Sequence, residues 1–356
     1  MRLMNAFGDS AEHSILSAMP ERLSARDSIA RDIRVAFPTD APPLAGRPSL
    51  PRLHRIARYM RGFDLVLTYN WGAFDAVMAR RVFAKAMKLP PLVHHEDGFN
   101  EDETATLKPM RNRYRRVGLK AAHALVVPSR RLERIAAETW GRSAVRISNG
   151  IAVELYARGP EAEIPGLDRR EGEVVVGTVA GLRAVKNLPR LVRAFAAMPT
   201  RNSRLVIVGE GPESERIVAE ARIHGVAERL VLPGFLSQPH CWIGRFDIFA
   251  LSSDSEQFPI SLVEAMAAGL PTVATAVGDV VGMVSDDNRP LIVAPDDEAG
   301  FAAALDSLAA RPDLRKAIGR ANATKARAEY DERAMIQRYA RLYGEAIRDA
   351  RAFDPA

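Results

Sequence analysis

Two carboxylates and two cations hold the residue types best suited to chemistry in this sequence. Glu256 and Glu264 flank a proline at the start of an alanine-rich run, within Ser252-Ser253-Asp254-Ser255-Glu256-Gln257-Phe258-Pro259-Ile260-Ser261-Leu262-Val263-Glu264-Ala265-Met266-Ala267-Ala268-Gly269-Leu270-Pro271. The pattern reads as a strand, a serine-rich turn and a helix that Gly269 and Pro271 bring to a stop. The free N–H groups at the start of such a helix favour an anionic ligand, which makes Phe258, Pro259 and Ile260 candidate binding residues. Carboxylates beside them suit sugar hydroxyls, because an ionised carboxylate only accepts hydrogen bonds. A first-turn acid that complements the helix dipole would account for Glu256 alone. It would not account for Glu264, a carboxylate amid alanines that needs partners if buried.

The cations lie in Val176-Gly177-Thr178-Val179-Ala180-Gly181-Leu182-Arg183-Ala184-Val185-Lys186-Asn187-Leu188. A strand turns at Gly181 and a helix follows. Arg183 offers a planar fork and Lys186 a mobile point charge, which together with a helix start would clamp a diphosphate. The plainer alternative is an ordinary basic loop.

A third cluster, Leu92-Val93-His94-His95-Glu96-Asp97-Gly98-Phe99-Asn100, ends a strand in the first half. Neighbouring strand residues point to opposite faces, so its spacing is poor for a metal. Lys108–Lys120 is a basic helical stretch. It fits either a solvated face or a surface for anionic lipid or a phosphorylated acceptor. No nucleic-acid motif accompanies the charge, so nucleic acid is not expected as a partner.

The elements that must position these residues alternate between short apolar runs and helical stretches, as in parallel βαβ units. Strands are expected at His13–Ala18, Asp32–Ala36, Asp64–Tyr69, Leu92–His95, Ala124–Pro128 and Val145–Ser148. A second series comprises Val174–Val179, Arg204–Val208, Leu230–Leu232, Ile248–Leu251, Thr272–Ala274 and Leu291–Val293. Helices fit Phe74–Lys88, Arg130–Thr139, Leu188–Met198, Glu213–His224 and Ile260–Ala268. The fold class is therefore α/β with two doubly wound, Rossmann-like domains, whose ligands bind at the C-terminal ends of the strands. Residues 1–150 form the first domain, 151–172 a linker rich in Gly and Pro, and 173–330 the second. The last stretch, 331–356, is a helix expected to pack back on the first domain.

The 356 residues suit two domains. The net charge of +6 divides unevenly. Residues 1–150 carry 25 Lys and Arg against 15 Asp and Glu, or +10; residues 151–356 carry 25 against 29, or −4. The basic first half suits an anionic partner such as a membrane surface or a lipid-linked phosphate. Cys241 is the only cysteine, which excludes an internal disulfide and a cysteine metal site. No apolar run is long enough to span a membrane, and Met1–Ser10 does not read as a signal peptide. These features suggest a cytoplasmic protein that could touch the inner face of a membrane.

The segment Glu256–Glu264 resembles the Glu-x7-Glu motif of the family 4 glycosyltransferases, which adopt the GT-B fold. The resemblance is tight over roughly 90–290. It implies a cleft between the two domains and transfer of a sugar, of hexosyl type, from a nucleotide-diphosphate donor to an acceptor hydroxyl. It also implies retention of configuration and no metal or other cofactor. Glu256 would meet donor-sugar hydroxyls and Glu264 the ribose. Arg183 and Lys186, with Gly181 at their turn, would hold the diphosphate. Phe235, in Pro233-Gly234-Phe235, is a candidate contact for the base, or else a core residue. The family pattern Glu-His-Gly puts Asp97 in the place of a catalytic-site histidine, with His95 as the fallback. The resemblance further suggests a carbohydrate or lipid-linked acceptor and a role in cell-surface polysaccharide or glycolipid synthesis.

Two departures stand out. Gln257 occupies the place of the usual glycine. The family's first strand and Gly-rich loop find no counterpart before Met1-Arg2-Leu3-Met4-Asn5-Ala6-Phe7-Gly8. The rival readings are a degenerate, non-catalytic nucleotide-sugar-binding protein and a sugar-nucleotide epimerase.

Overall fold

The computed structural model describes residues 1–19, 24–99, 103 and 107–353. Asn100 and the last residues, 354–356, of the expected C-terminal helical stretch lie outside them. The chain forms two compact units: Met1–Ser148 with Arg333–Ala356, and Asn149–Glu332. Every strand expected from sequence is present, though several are shorter.

In the first unit, β1 (His13–Ser14) and β2 (Val35–Ala36) pair in parallel as a two-stranded sheet. A four-stranded parallel sheet runs in the order β3 (Val66–Tyr69), β4 (Leu92–His95), β5 (Ala124–Val127), β6 (Val145–Arg146). Strands β4 and β5 are buried throughout, whereas the edge strand β3 alternates between buried and exposed residues. That difference is expected of inner and outer strands of a sheet covered on both faces. One face is covered by the helix Glu332–Ile347, whose Met335, Tyr339, Leu342 and Tyr343 join Phe7, Val93 and Val126 in a core cluster. On the other, Phe74 and Val77 of the helix Phe74–Met87 pack with Leu92, Leu125 and Trp140. Full burial of one such apolar side chain contributes about 1.5–3 kcal/mol.

The second unit is a six-stranded parallel sheet in the order β12 (Ile292–Val293), β11 (Thr272–Thr275), β10 (Ile248–Leu251), β7 (Val174–Val179), β8 (Ser203–Val208), β9 (Leu230–Val231). The chain adds β8 and β9 to one side of β7, then crosses to build outward from β10 on the other. The order therefore reverses between β7 and β10, which is where such sheets open a crevice at their carboxyl ends. Gly177 makes close packing possible here, since a Cβ at that position would enter the Phe246 ring.

The stretch 151–172 is not a free linker. Ile164 is buried in the second unit's core, and the backbone of Glu161 and Ala162 donates to the Cys241 carbonyl, each at 2.8 Å. Beyond the short helix Val153–Tyr156, its prolines and glycines suppress regular structure without detaching it from the domain. Ile151 pairs with Asp331, and a Cβ on Gly150 would press on the Glu332 backbone. The two passages of the chain between units thus lie side by side.

Candidate active site

The loop after β7 and the loop after β10 are tied together by backbone and side chain. Asp254 N donates to the Val185 carbonyl at 2.9 Å, and Ser252 Oγ to the Lys186 carbonyl at 3.0 Å. Asn187 sits in the left-handed region (φ 42°), caps the helix Leu188–Ala197, and donates through Nδ2 to both Asp254 oxygens at 3.1 Å. Arg190 bonds the Ser252 carbonyl at 2.9 Å and pairs with Asp254 at 2.8 Å. This lattice brings Lys186 to Glu256, with Nζ to Oε1 at 2.5 Å. Ser253 Oγ donates to the same oxygen at 2.6 Å. Both members of the pair are largely buried, at 16% and 8% side-chain exposure.

Arg183, three residues upstream of Lys186, is exposed, and its side chain makes no hydrogen bond or ion pair among the described residues. Gly181 is exposed beside it, its carbonyl accepting from Arg183 N at 2.8 Å. The loop after β8 braces this turn. Gly209 and Gly211 adopt φ values of 141° and 154°, and a Cβ on either would strike the Ala180 or Leu182 backbone. Their role is therefore close backbone approach.

Glu264 occupies a different setting. It lies buried on the helix Ile260–Ala267, and Tyr156 Oη donates to its Oε1 at 2.9 Å. At the start of that helix, Phe258 packs edge-on against Tyr330, Pro259 is buried and Ile260 is 38% exposed. Among the described residues, no side chain caps this helix start. Gln257 is half-buried, and its Oε1 is buried with no partner among the described residues. The core reading of Phe235 does not hold: the residue is 69% exposed.

In the first unit, the sequence-expected residues separate. Asp97 is exposed at the end of β4, its N–H donating to Asn70 Oδ1 at 2.8 Å. The protein around it pushes its carboxyl pKa up, and the Glu96 charge adds to the shift. Exposure at the surface tempers both effects. His95 is buried at 1% exposure, and both ring nitrogens have protein partners: Nδ1 faces the Thr68 carbonyl at 3.1 Å and Nε2 the Tyr343 hydroxyl at 2.9 Å. Burial drops its pKa to about 3. The expectation that His95 could meet a ligand is thereby corrected. It is a neutral interior histidine, because the strand end that carries it is covered by the Glu332–Ile347 helix.

The basic stretch Lys108–Lys120 is corrected in part. Arg115 is not solvated: it is fully buried, forks onto Glu103 at 3.1 and 3.2 Å, and reaches Glu96 at 3.2 Å. Its guanidinium lies 5.0–5.4 Å from the ring centroids of Trp71, Phe99 and Trp140. Burial pushes the Glu103 carboxyl up, but the hydrogen bonds from Arg115 and Arg111 outweigh it and hold its pKa below the usual range. Among the described residues, no three His, Cys, Asp or Glu side chains gather as metal ligands, and no helix is long and apolar enough to cross a membrane.

Sequence reasoning missed Ser253, Asn187, Arg190 and Tyr156. The Ser-x-x-Glu spacing of Ser253 and Glu256 could have found the first. Asn187 before Leu188-Pro189 is a helix-start signal. Tyr156 has no local signal, as it bonds a residue more than a hundred positions away.

The chain matches two family models, Glycosyltransferase Family 4 over residues 4–155 and Glycosyl transferases group 1 over 160–325. It is 24% identical over 180 residues to an N-acetyl-α-D-glucosaminyl L-malate synthase of Bacillus anthracis, covering 50% of this chain and 47% of that protein. It is 31% identical over 191 residues to a D-inositol 3-phosphate glycosyltransferase of Kribbella flavida, covering 49% and 45%. The matched stretch is thus about half the length of either relative. The crystal structure of Anabaena Alr3699/HepE in complex with UDP and glucose superposes with a TM-score of 0.75 at 18% identity, over 96% of this chain and 94% of that one. The two parallel-sheet units and both family matches agree: the chain belongs to the family 4 glycosyltransferases of GT-B type.

Proposed function

We propose that the chain transfers a hexosyl group from a nucleoside-diphosphate sugar to an acceptor hydroxyl, with retention of configuration and without a metal ion. The observation that carries this reading is the Lys186–Glu256 pair at the carboxyl ends of β7 and β10, with Arg183 exposed next to it. As the donor bond breaks, negative charge builds on the diphosphate. Arg183 and Lys186 stabilise it by fixed positive charge, in a setting where such contacts are stronger than in water. The uncapped start of the Ile260–Ala267 helix, where Phe258 and Ile260 carry backbone N–H groups and Pro259 sets the turn between them, adds donors for the same anion.

Glu256 holds Lys186 until the donor arrives, then accepts hydrogen bonds from sugar hydroxyls. Glu264 accepts from the ribose, oriented by Tyr156. Phe235 offers an exposed ring to the base, and Gly181 lets the backbone approach the phosphates. Asp97 stands for the acceptor side. The basic first half suits a carbohydrate or lipid-linked acceptor at an anionic membrane, in cell-surface polysaccharide or glycolipid synthesis. The Anabaena neighbour was solved with UDP and glucose, which supports a UDP-sugar as the first donor to try.

Calorimetric titration with UDP, GDP and ADP tests the donor site. Micromolar binding of one names the donor base. Absence of binding to all three would remove the proposal in favour of a degenerate relative.

A further inference from the structure

The first unit contains a hydrogen-bonded pair, Tyr343 and His95, with Tyr69 stacked on it, that the proposed donor chemistry does not use. The Thr68 carbonyl can only accept, so His95 Nδ1 carries the proton. Neutral His95 then has a bare Nε2, and the Tyr343 hydroxyl donates to it. The proton of Tyr343 is thereby committed to His95. The order is Tyr343 to His95 to the Thr68 carbonyl.

Burial pushes the Tyr69 hydroxyl up to about 12, so that hydroxyl points inward. One face of the Tyr69 ring stacks on His95, with centroids 4.3 Å apart and planes 14° from parallel. Yet Tyr69 as a residue is 45% exposed. Its open surface is therefore the other ring face. That face borders a groove of about 380 Å³ lined by Ser17, Ala18, Leu67, Thr68, Tyr69 and Gly72, a size in the range of small-ligand sites. Asp97 is exposed nearby: Asn70, the residue after Tyr69, holds its N–H, and its charge reaches Tyr69.

We infer that Tyr69 is a platform for a neutral sugar ring of the acceptor, and that Tyr343, acting through His95, is the residue that positions it. An aromatic face covers the C–H face of a sugar, and an adjacent carboxylate accepts its hydroxyls. The inference rests on the glycosyltransferase reading for the word acceptor; the sugar site itself uses first-unit residues only.

The test uses the full chain labelled with 3-fluorotyrosine, in which seven tyrosines give seven fluorine NMR lines and Tyr69→Phe assigns one. The methyl glycosides of glucose, galactose, mannose and N-acetylglucosamine are titrated in the presence of UDP. At least one should move the Tyr69 line. Tyr343→Phe should weaken that glycoside about tenfold, as expected for loss of one buried hydrogen bond. Tyr339→Phe, on the same helix and in ring contact with His95, should bind like wild type. A Tyr69 line unmoved by all four glycosides overturns the inference. So does a Tyr343→Phe variant that binds like wild type, or an equal loss in both variants, which would mark a merely structural role. Calorimetry with UDP on the unsubstituted protein reports on the donor reading independently.

Discussion

The Lys186–Glu256 pair of the second unit and the Arg115–Glu96–Glu103 cluster of the first are both ion pairs of short range, but they are held in opposite ways. Lys186 and Glu256 lie in two loops at strand ends, at the margin of solvent, beside an exposed Arg183. Arg115 is sealed between two carboxylates and three aromatic rings. A pair at the margin can exchange partners with a ligand at modest cost. A sealed pair cannot, because separating it strands charge in a poorly solvated interior. The first arrangement suits chemistry and the second suits anchoring, here of the loop that carries Asp97.

Substitution of the sealed cation gives the largest expected effect. Arg115→Ala should lower unfolding stability by about 3–5 kcal/mol, read by urea denaturation, because it leaves buried Glu96 without its cation and Glu103 with Arg111 alone. A loss below about 1 kcal/mol would erase the distinction drawn between the two pairs. Next, Lys186→Ala should reduce turnover by about 10²-fold with a UDP-sugar, the usual worth of one charge contact to a developing anion. Its cost in stability should be smaller than that of Arg115→Ala, since Ser253 still donates to Glu256. Turnover near wild type would remove Lys186 from the mechanism. Smaller again, Tyr156→Phe should weaken UDP by about 1–2 kcal/mol, because Glu264 loses a charge-assisted hydrogen bond that orients it. Calorimetry reads the change, and unaltered affinity would mean Glu264 is held by its other neighbours.

The same contrast explains what could be read from the sequence. The second unit's strands, its helices and its Arg183, Lys186, Glu256 and Glu264 were legible, because each lies in a strand–loop–helix passage with its own punctuation. Strand β7 is a run of β-branched residues ending at a glycine turn, and Pro259 marks the helix that carries Glu264. In the first unit, the identity of β4 was legible but the fate of its end was not. Whether His95 faces a ligand or the interior depends on Tyr343, which is 248 positions away. Nothing local distinguishes Arg115 from Arg113 or Arg116; only the carboxylates and rings brought by other elements select it. The exposure of Phe235 was undecidable for the same reason.

The smallest expected effect is the most specific to the first unit. His95 titrates near 3 in the folded protein because burial disfavours its charged form, and an unfolded chain titrates it near 6.5. Between those values the unfolded state binds a proton that the folded state does not. Stability contributed by neutral His95 is therefore whole above pH 6.5 and falls as the pH drops below it. From pH 7 to 5.5 the fall is about 1.2 kcal/mol, a figure set by the unfolded value because the folded one lies far beneath the window. His95→Gln has no such proton to gain. The variant should be less stable than wild type at pH 7, since Gln cannot reproduce the ring stacking on Tyr69, and the gap should narrow by about 1.2 kcal/mol at pH 5.5. Urea unfolding of both proteins at the two pH values measures it. A gap that stays constant or widens on acidification would mean that His95 is protonated in the fold, and the Tyr343 hydroxyl would then not be donating to it.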